Sequence, residues 1–253
     1  SVNRPILEKV LDFMKKEGVT AYDEATGKGL VRHILIRVGR MTKEVMVCLV
    51  INGKRMKKED GFAESLLYCL DGEGFQVTHI SLCVNMENTN VIMGDEIRLL
   101  YGKPYIRDFI NGLEFHISPL SFYQVNPVQV EKLYGAALEF AALTGAETVW
   151  DLYCGIGTIS LCLARGAKQV YGVEIIPQAI ADAKENAARN QITNAEFYVG
   201  KAEEVLPRYF EEEQRVGRTP HADLIVVDPP RKGCEAACLE TMLKMQPDRI
   251  IYI

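Results

Sequence analysis

The sequence has 253 residues and is short of the features that mark membrane and secreted proteins. It contains no run of about 18 apolar residues, so we expect no transmembrane helix and no membrane partner. Its first residues lack the basic-then-apolar pattern of a secretory signal. An initiator methionine is also missing, and we therefore expect a processed chain or a part of a longer one.

The cysteine and histidine residues do not have the number or spacing typical of a disulfide scaffold or a zinc site. The seven cysteines are odd in number and none is spaced CxxC, and only four histidines are present. Both observations argue against a disulfide framework and against a bound metal. We expect a reduced, cytoplasmic, monomeric protein whose cysteines are mostly small buried apolar residues.

The charge balance is not that of a strongly basic nucleic-acid-binding protein. Residues 1–118 carry 16 basic and 16 acidic groups, and residues 119–253 carry 13 and 18. Contacts with RNA phosphates would therefore have to be local. The densest basic stretch is Lys54-Arg55-Met56-Lys57-Lys58, which is either a solvated turn or a phosphate contact.

Residues 1–118 are predicted to form an α+β subdomain. Apolar residues at helical spacing predict a helix over 4–17, and β-rich runs on either side of a Gly39 turn predict a hairpin. The predicted strands are 31–38, 44–50, 77–84, 91–93 and 97–101, with a second helix over 61–70.

Residues 119–253 alternate between short apolar strands and amphipathic helices after a helix over 127–142. This order predicts a doubly wound parallel sheet, a Rossmann-like α/β fold with helices on both faces. The predicted strands are 148–152, 169–173, 195–199, 224–227 and 249–253, and the helices are 157–165, 177–190, 202–209 and 235–245. Because the chain stops within an apolar strand, we expect this core to be incomplete at its C-terminus.

Three motifs follow strands of this predicted sheet. The first is a glycine turn after strand 148–152, in which Gly155 and Gly157 would let the backbone approach a cofactor closely. The second is Glu174, which ends the next strand and could accept hydrogen bonds from a ribose. The third is Asp228-Pro229-Pro230-Arg231, a rigid loop at the carboxyl end of a strand. Taken singly, each could be a tight connection, a capping acid or a structural turn.

Together the motifs resemble the RNA uracil-C5 methyltransferase family, most closely its bacterial 23S ribosomal RNA members. The resemblance is carried by Asp-x-Tyr-Cys-Gly-x-Gly at 151–157, Val-Glu at 173–174, Asp-Pro-Pro-Arg-Lys-Gly at 228–233 and Phe-x-Gln-x-Asn at 122–126. The segment 84–94 is also similar to the family's central subdomain. The order of four motifs is far more specific than any one of them.

The resemblance implies S-adenosylmethionine as cofactor, S-adenosylhomocysteine as product and a uridine in RNA as substrate, with ribosomal RNA favoured over transfer RNA. It places Gln124, Asp228 and Arg231 at the target base. It implies a cofactor site made of Gln124, Tyr153, Gly155, Gly157, Thr158, Glu174 and Asp228.

Three family features would lie outside this chain. The nucleophilic cysteine is expected just beyond Ile253, and a glutamate general base follows it in the family. An RNA-binding β-barrel or an iron–sulfur cluster would lie only in an N-terminal region that precedes the chain. Cys234 is the alternative nucleophile, but Arg231, not a cysteine, follows Pro230.

Two other functions stay open from the sequence. The chain could be a module that binds S-adenosylmethionine or RNA without catalysis, because it lacks the family's nucleophile. It could also be an enzyme with another target, such as a transfer RNA uridine. Amino-group methylation is disfavoured, since an aromatic residue usually follows the two prolines in those enzymes.

Overall fold

The fold was established from a computed structural model that describes residues 2–123, 127–218, 221–230 and 232–253, without the side chains of residues 127 and 128. The chain divides into two compact units, Ser1–Phe109 with His116–Leu120, and Ile110–Phe115 with Ser121–Ile253. The domain boundary between residues 118 and 119 stays a prediction. Among the described residues, no helix is both long and apolar enough to cross a membrane.

The first unit is built around a four-stranded mixed sheet with two helices, α1 and α2. Its strands stand in the order β1-β2-β3-β4, antiparallel between β1 and β2 and parallel between β2 and β3. One face of the sheet packs against both helices in a single apolar core. The bounds are α1 (Asn3–Glu17), β1 (Val31–Val38), β2 (Glu44–Ile51), α2 (Glu59–Leu67), β3 (Gln76–Val84) and β4 (Glu96–Gly102).

The structure differs from the sequence prediction at two places in the first 118 residues. The strand expected at 91–93 is wrong, because the Asn85 side-chain amide donates to the carbonyls of Val91 and Ile92, at 2.7 and 3.0 Å, and folds this segment into a loop. The sequence interpretation also missed the two-stranded sheet of β5 (Ile106–Ile110) and β6 (Leu113–Ile117). Its turn is an Asn-Gly pair at 111–112 with both φ angles positive, which is a usable hairpin signal.

The second unit has the predicted parallel sheet, with strand order β11-β10-β7-β8-β9. Helices α6 and α7 pack against Trp150 on one face. Asp151, the next residue of β7, points to the other face and accepts a hydrogen bond from Ser160 of α4. Helices therefore cover both faces. The bounds are α3 (Pro127–Ala141), β7 (Thr148–Leu152), α4 (Thr158–Ala164), β8 (Gln169–Glu174), α5 (Pro177–Arg189), β9 (Ala195–Val199), α6 (Ala202–Arg215), β10 (Leu224–Val227), α7 (Ala236–Lys244) and β11 (Arg249–Tyr252).

Helix α6 is longer than the pattern predicts. It continues through Pro207 to Arg215, whereas the predicted helix ends at residue 209. A proline removes one backbone donor, but Val205 and Leu206 are buried against the sheet and hold the helix across that position. The charge run at 211–215 is thus the exposed end of a helix.

The strand order places the switch point of the sheet between β7 and β10. From β7 the chain runs outward through β8 and β9, and it then crosses back to β10 and β11. Loops that leave the carboxyl ends of β7 and β10 diverge to opposite sides and open a crevice between them. The glycine turn and the Asp-Pro-Pro loop both border this crevice.

Gly172 in β8 is expected to tolerate no side chain. A Cβ there would lie 2.6 Å from Cδ1 of Phe197 and 3.0 Å from Sγ of Cys154. We expect Gly172→Ala to lower the free energy of unfolding by about 1–3 kcal/mol, measured by urea denaturation. Gly135→Ala in α3 is the control, because its Cβ would meet no atom within 4 Å. Equal stability of the two variants would contradict this packing.

Candidate functional site

A cavity of about 880 Å³ opens at the carboxyl ends of β7, β8, β9 and β10. This volume lies within the range of pockets that hold small molecules and cofactors, about 300–1,000 Å³. All its lining residues belong to the second unit. Four residues predicted from the motifs line it together: Tyr153, Gly155, Glu174 and Asp228.

The turn after β7 takes an unusual backbone path. Tyr153 has φ +71°, and the N–H groups of Tyr153 and Cys154 both donate to the carbonyl of Val173, at 2.9 Å. Gly155 follows with φ +55°, and a Cβ there would meet no protein atom within 4 Å. Because Gly155 lines the cavity, this open space lets a ligand approach its backbone closely.

Gly157 and Thr158 lie deeper in the turn. Gly157 has φ +80°, and its Cβ position faces Phe197 and Ala183 at 3.1 and 3.2 Å, so the residue shapes the turn and does not line the large cavity. Thr158 lines a small neighbouring cavity of about 30 Å³, together with Tyr153 and Asp228. Its Oγ1 is 2.9 Å from the hydroxyl of the buried Tyr134, which ties α4 to α3.

Glu174 is a fixed hydrogen-bond acceptor at the end of β8. Its Oε2 accepts the N–H of Gly155 at 3.2 Å, and its Oε1 accepts the N–H of Ile176 at 3.0 Å. Each carboxylate oxygen has a further lone-pair direction, and the residue lines the cavity. The arrangement can accept hydrogen bonds from vicinal hydroxyl groups, as in a ribose.

Asp151 is a fully buried carboxyl group directly before the glycine turn. The Ser160 hydroxyl donates to its Oδ2, and its Oδ1 has no hydrogen-bond partner in the part of the chain that the structure describes. Burial raises the pKa of Asp151 to about 7. The charge of Asp228 acts in the same direction. A carboxyl group at the base of this turn therefore titrates close to neutral pH.

Asp228 follows β10 at the edge of both cavities. Burial raises the pKa of this half-buried carboxyl group above its ordinary value. Pro229 and Pro230 restrict the backbone after it and remove two donors, which keeps the loop extended. The group can donate a hydrogen bond when it is protonated and accept one when it is ionised.

Some predicted residues are not brought into the site by the described structure. Gln124 and Arg231 lie outside the described residues. Cys234 is half-buried, packs beside the core under α6 and α7, and does not line the large cavity. The nucleophile expected beyond Ile253 is not part of this sequence.

The cavity also includes residues to which the sequence interpretation gave no side-chain role. Lys201, Ala202 and Glu203 line it after β9, at the start of α6. Lys232 and Glu235 line its other side and form an ion pair at 2.6 Å. Their signal was positional, since all of them follow the carboxyl end of a parallel strand.

This fold and site define a class: Rossmann-like methyltransferase domains, with a glycine turn after the first strand and a carboxylate after the second. The chain belongs to the tRNA (uracil-5-)-methyltransferase family, whose profile matches residues 64–253.

Curated relatives agree with this assignment. An uncharacterised RNA methyltransferase of Halalkalibacterium halodurans is 47% identical over 251 residues, covering 99% of this chain and 53% of the relative. One of Listeria monocytogenes is 47% identical over 247 residues, covering 98% and 52%. The chain thus spans about half the length of the curated relatives it matches.

Solved structures show the same architecture. The tRNA (uracil-54, C5)-methyltransferase of Pyrococcus abyssi, in complex with S-adenosyl-L-homocysteine, has a TM-score of 0.79 at 26% identity, covering 100% of this chain and 57% of the other. Trm5 of Methanocaldococcus jannaschii, in complex with adenosine, has a TM-score of 0.51 at 14% identity, covering 85% and 58%. The second likeness concerns the fold alone.

Proposed function

We propose that this chain binds S-adenosylmethionine in the 880 Å³ cavity and serves methyl transfer to C5 of a uridine in RNA. One observation carries the proposal: Tyr153, Gly155, Glu174 and Asp228, from three separate motifs, line a single cavity at the switch point of the sheet. Family membership and the cofactor product in the Pyrococcus abyssi structure support it.

The residues present fit an adenosyl cofactor. Glu174 is held by two backbone N–H groups beside the open Gly155, which suits a ribose lying against the turn. At the end of β9, Gly200 has φ +151°, and its Cβ would lie 2.7 Å from Cγ2 of Val205. Gly200, Lys201 and Ala202 line the cavity at this bend, where a flat base can pack. When bound, S-adenosylmethionine supplies an electrophilic methyl group.

Asp228 is the described residue best placed to orient the target base. Uracil presents an N3–H donor beside the O4 acceptor, so an ionised Asp228 can accept from N3–H and a protonated one can donate to O4. Either contact fixes the ring, and donation by a protonated Asp228 also stabilises negative charge at O4 in the enolate-like state. We propose Gln124 and Arg231 as further contacts to the base.

The proposed chemistry needs a nucleophile as well, because C5 of uracil attacks poorly. In the family a thiolate adds to C6, which makes C5 enolate-like. C5 can then bond to the cofactor's methyl group as the methyl–sulfur bond breaks and S-adenosylhomocysteine leaves. A base then removes the C5 proton, and the thiolate leaves as C5=C6 re-forms. We place that cysteine after β11, as the family resemblance implies. The target base must leave its stack to reach the cavity.

The RNA class is ribosomal in our proposal, because the motifs are most like those of bacterial 23S ribosomal RNA enzymes. Transfer RNA is the second candidate, since the Pyrococcus abyssi neighbour is a transfer RNA enzyme. Incubation of the complete gene product with labelled S-adenosylmethionine and each transcript distinguishes the two. Label in neither RNA, with S-adenosylhomocysteine bound, would favour a binding module without catalysis. The cytoplasmic location of the protein and its monomeric state remain predictions from the sequence.

Asp228→Asn is expected to lower the rate of methyl transfer by about 100-fold, because asparagine cannot ionise and presents one acceptor oxygen instead of two. The dissociation constant for S-adenosylhomocysteine, measured by calorimetry, should change far less. Asp71→Asn, an exposed position in the first unit, is the matched control. Equal rates for the two variants would remove Asp228 from the base site.

A further inference from the structure

We propose that the first unit binds RNA at the carboxyl ends of its two central strands, β2 and β3. This inference rests on the proposed function. The surface consists of the basic turn, residues 54–58, and the adjoining loop, residues 85–94. It would take a single-stranded stretch of RNA, with phosphates on the basic turn and bases or riboses on the loop.

The basic turn presents three cations without ion-pair partners. Lys54, Arg55 and Lys57 are exposed, and none forms an ion pair with any residue that the structure describes. Lys58, in contrast, pairs with Glu17 at 2.9 Å. Three free cations within four residues form a local site for phosphate, although residues 1–118 carry equal numbers of basic and acidic groups.

The basic turn is held in place by one buried side chain and one hydrogen bond to α2. Met56 is buried, at 5% exposure, and its N–H donates to Oε1 of Glu59 at 2.9 Å. Glu59 is in turn paired with Arg98 at 2.6 Å, so its charge is already compensated. The turn therefore keeps its three cations on the outside, and the carboxylate of Glu59 is already engaged by Arg98.

The adjoining loop leaves the sheet beside the basic turn. Ile51 at the end of β2 is the register partner of Val84 at the end of β3, and these strands run parallel. The N–H of Asn85 donates to the carbonyl of Ile51 at 2.9 Å. Neighbouring strands are about 5 Å apart, so the chain leaves β2 and β3 at neighbouring positions, three residues before the basic turn and directly before the adjoining loop.

The adjoining loop has a backbone fixed by two side chains. Arg32 donates to the carbonyls of Asn85, Glu87 and Thr89, at 3.1, 2.7 and 3.4 Å. Asn85 donates from the other side to the carbonyls of residues 91 and 92. A surface ordered in this way before binding loses little conformational entropy when a ligand arrives.

Apolar side chains project from this fixed loop. Met86, Val91 and Ile92 are 53%, 63% and 53% exposed. Exposed apolar side chains on one segment and free cations on the neighbouring one suit a strand of nucleic acid, whose base faces are apolar and whose backbone is anionic. Glu87 lies within the adjoining loop, and Asp95 and Glu96 follow it directly in the chain, so the loop itself is unfavourable for phosphate.

The charge side of the surface is tested with a labelled single-stranded oligouridylate, by anisotropy between about 50 and 200 mM salt. The variant Lys54→Gln/Arg55→Gln/Lys57→Gln loses three phosphate contacts. We expect its slope of log affinity against log salt to be smaller by about 2, and its affinity to be at least tenfold lower. The control with the same charge change replaces three exposed lysines of the second unit: Lys168, Lys184 and Lys244.

The apolar side is tested in the double variant Val91→Ser/Ile92→Ser. We expect at least a fivefold loss of affinity with an unchanged salt slope, because no cation is removed. Val216→Ser is the control, since Val216 is 64% exposed in the second unit.

Absence of oligouridylate binding by the unaltered chain, or equal slopes for the two triple variants, would overturn this surface. Calorimetric titration with S-adenosylhomocysteine on the same preparations separates that failure from failure of the proposed function. The cofactor site is in the other unit, so all surface variants should bind S-adenosylhomocysteine like the unaltered chain.

Discussion

Replacing Glu174 with alanine should weaken the binding of S-adenosylhomocysteine by about 100-fold. Hydrogen bonds to a charged acceptor contribute about 1.5–3 kcal/mol each, and a ribose offers two hydroxyl donors to this carboxylate. Isothermal titration calorimetry of the 253-residue chain measures the effect directly. Saturable one-to-one binding by the unaltered chain is the starting point for this comparison.

The same carboxylate also holds the turn, and the controls separate the two roles. Glu174→Gln keeps an oxygen that can accept from Ile176 N–H, so its unliganded thermal stability should stay close to that of the unaltered chain. Its affinity should fall between those of the unaltered chain and the alanine variant. Glu185→Ala removes an exposed carboxylate on α5 and should bind normally. If Glu174→Ala binds S-adenosylhomocysteine with unchanged affinity, the proposed contact between Glu174 and a ribose is refuted.

Asp151 is expected to make the stability of the second unit depend on pH. Its folded-state pKa of about 7 lies above the value near 4 of an unfolded aspartate, so the folded state binds the proton more tightly. Its contribution to the free energy of unfolding is therefore complete below about pH 4 and is lost as pH rises through about 7. The limit of this loss is about 4 kcal/mol.

Asp151→Asn removes that titration. Between pH 4 and pH 8 the stability of the variant relative to the unaltered chain should rise by up to about 4 kcal/mol. Urea denaturation at a series of pH values measures both curves, and Asp71→Asn, at an exposed site, supplies the reference for an ordinary carboxyl group. Parallel curves for Asp151→Asn and the unaltered chain would show that this carboxyl group has an ordinary pKa.

The parallel sheet was predictable because its strands are continuous apolar runs that alternate with helices. The five strands of the second unit lie within a residue of their predicted bounds, and the β1–β2 hairpin is also confirmed. Sequence patterns failed where side chains redirect the backbone. Val91-Ile92-Met93 has strand-like composition, but the side-chain amide of Asn85 donates to the carbonyls of Val91 and Ile92. Residue propensities do not include such a side-chain contact.

The candidate site was predictable to the extent that its residues lie directly after strands. Tyr153, Glu174 and Asp228 were assigned from motifs, and all three line the cavity. The linking hydrogen bonds were not accessible from the sequence, for example that between Tyr134 and Thr158, because they join a helix to a turn many residues away. The spacing of residues in the sequence also does not reveal how deeply a side chain is buried, and burial is the main cause of the raised pKa of Asp151.

The position of β7 at the centre of the sheet has a consequence for the order in which the cavity can assemble. Asp151 pairs with Gly172 on one side, a short βαβ closure, and with Val226 on the other, across most of the unit. Loop closure costs more entropy for the second pairing, and parallel pairing is intrinsically slow. The side of the cavity around Glu174 thus forms from residues close in the chain, whereas the wall bearing Asp228 closes only when the distant strand β10 docks.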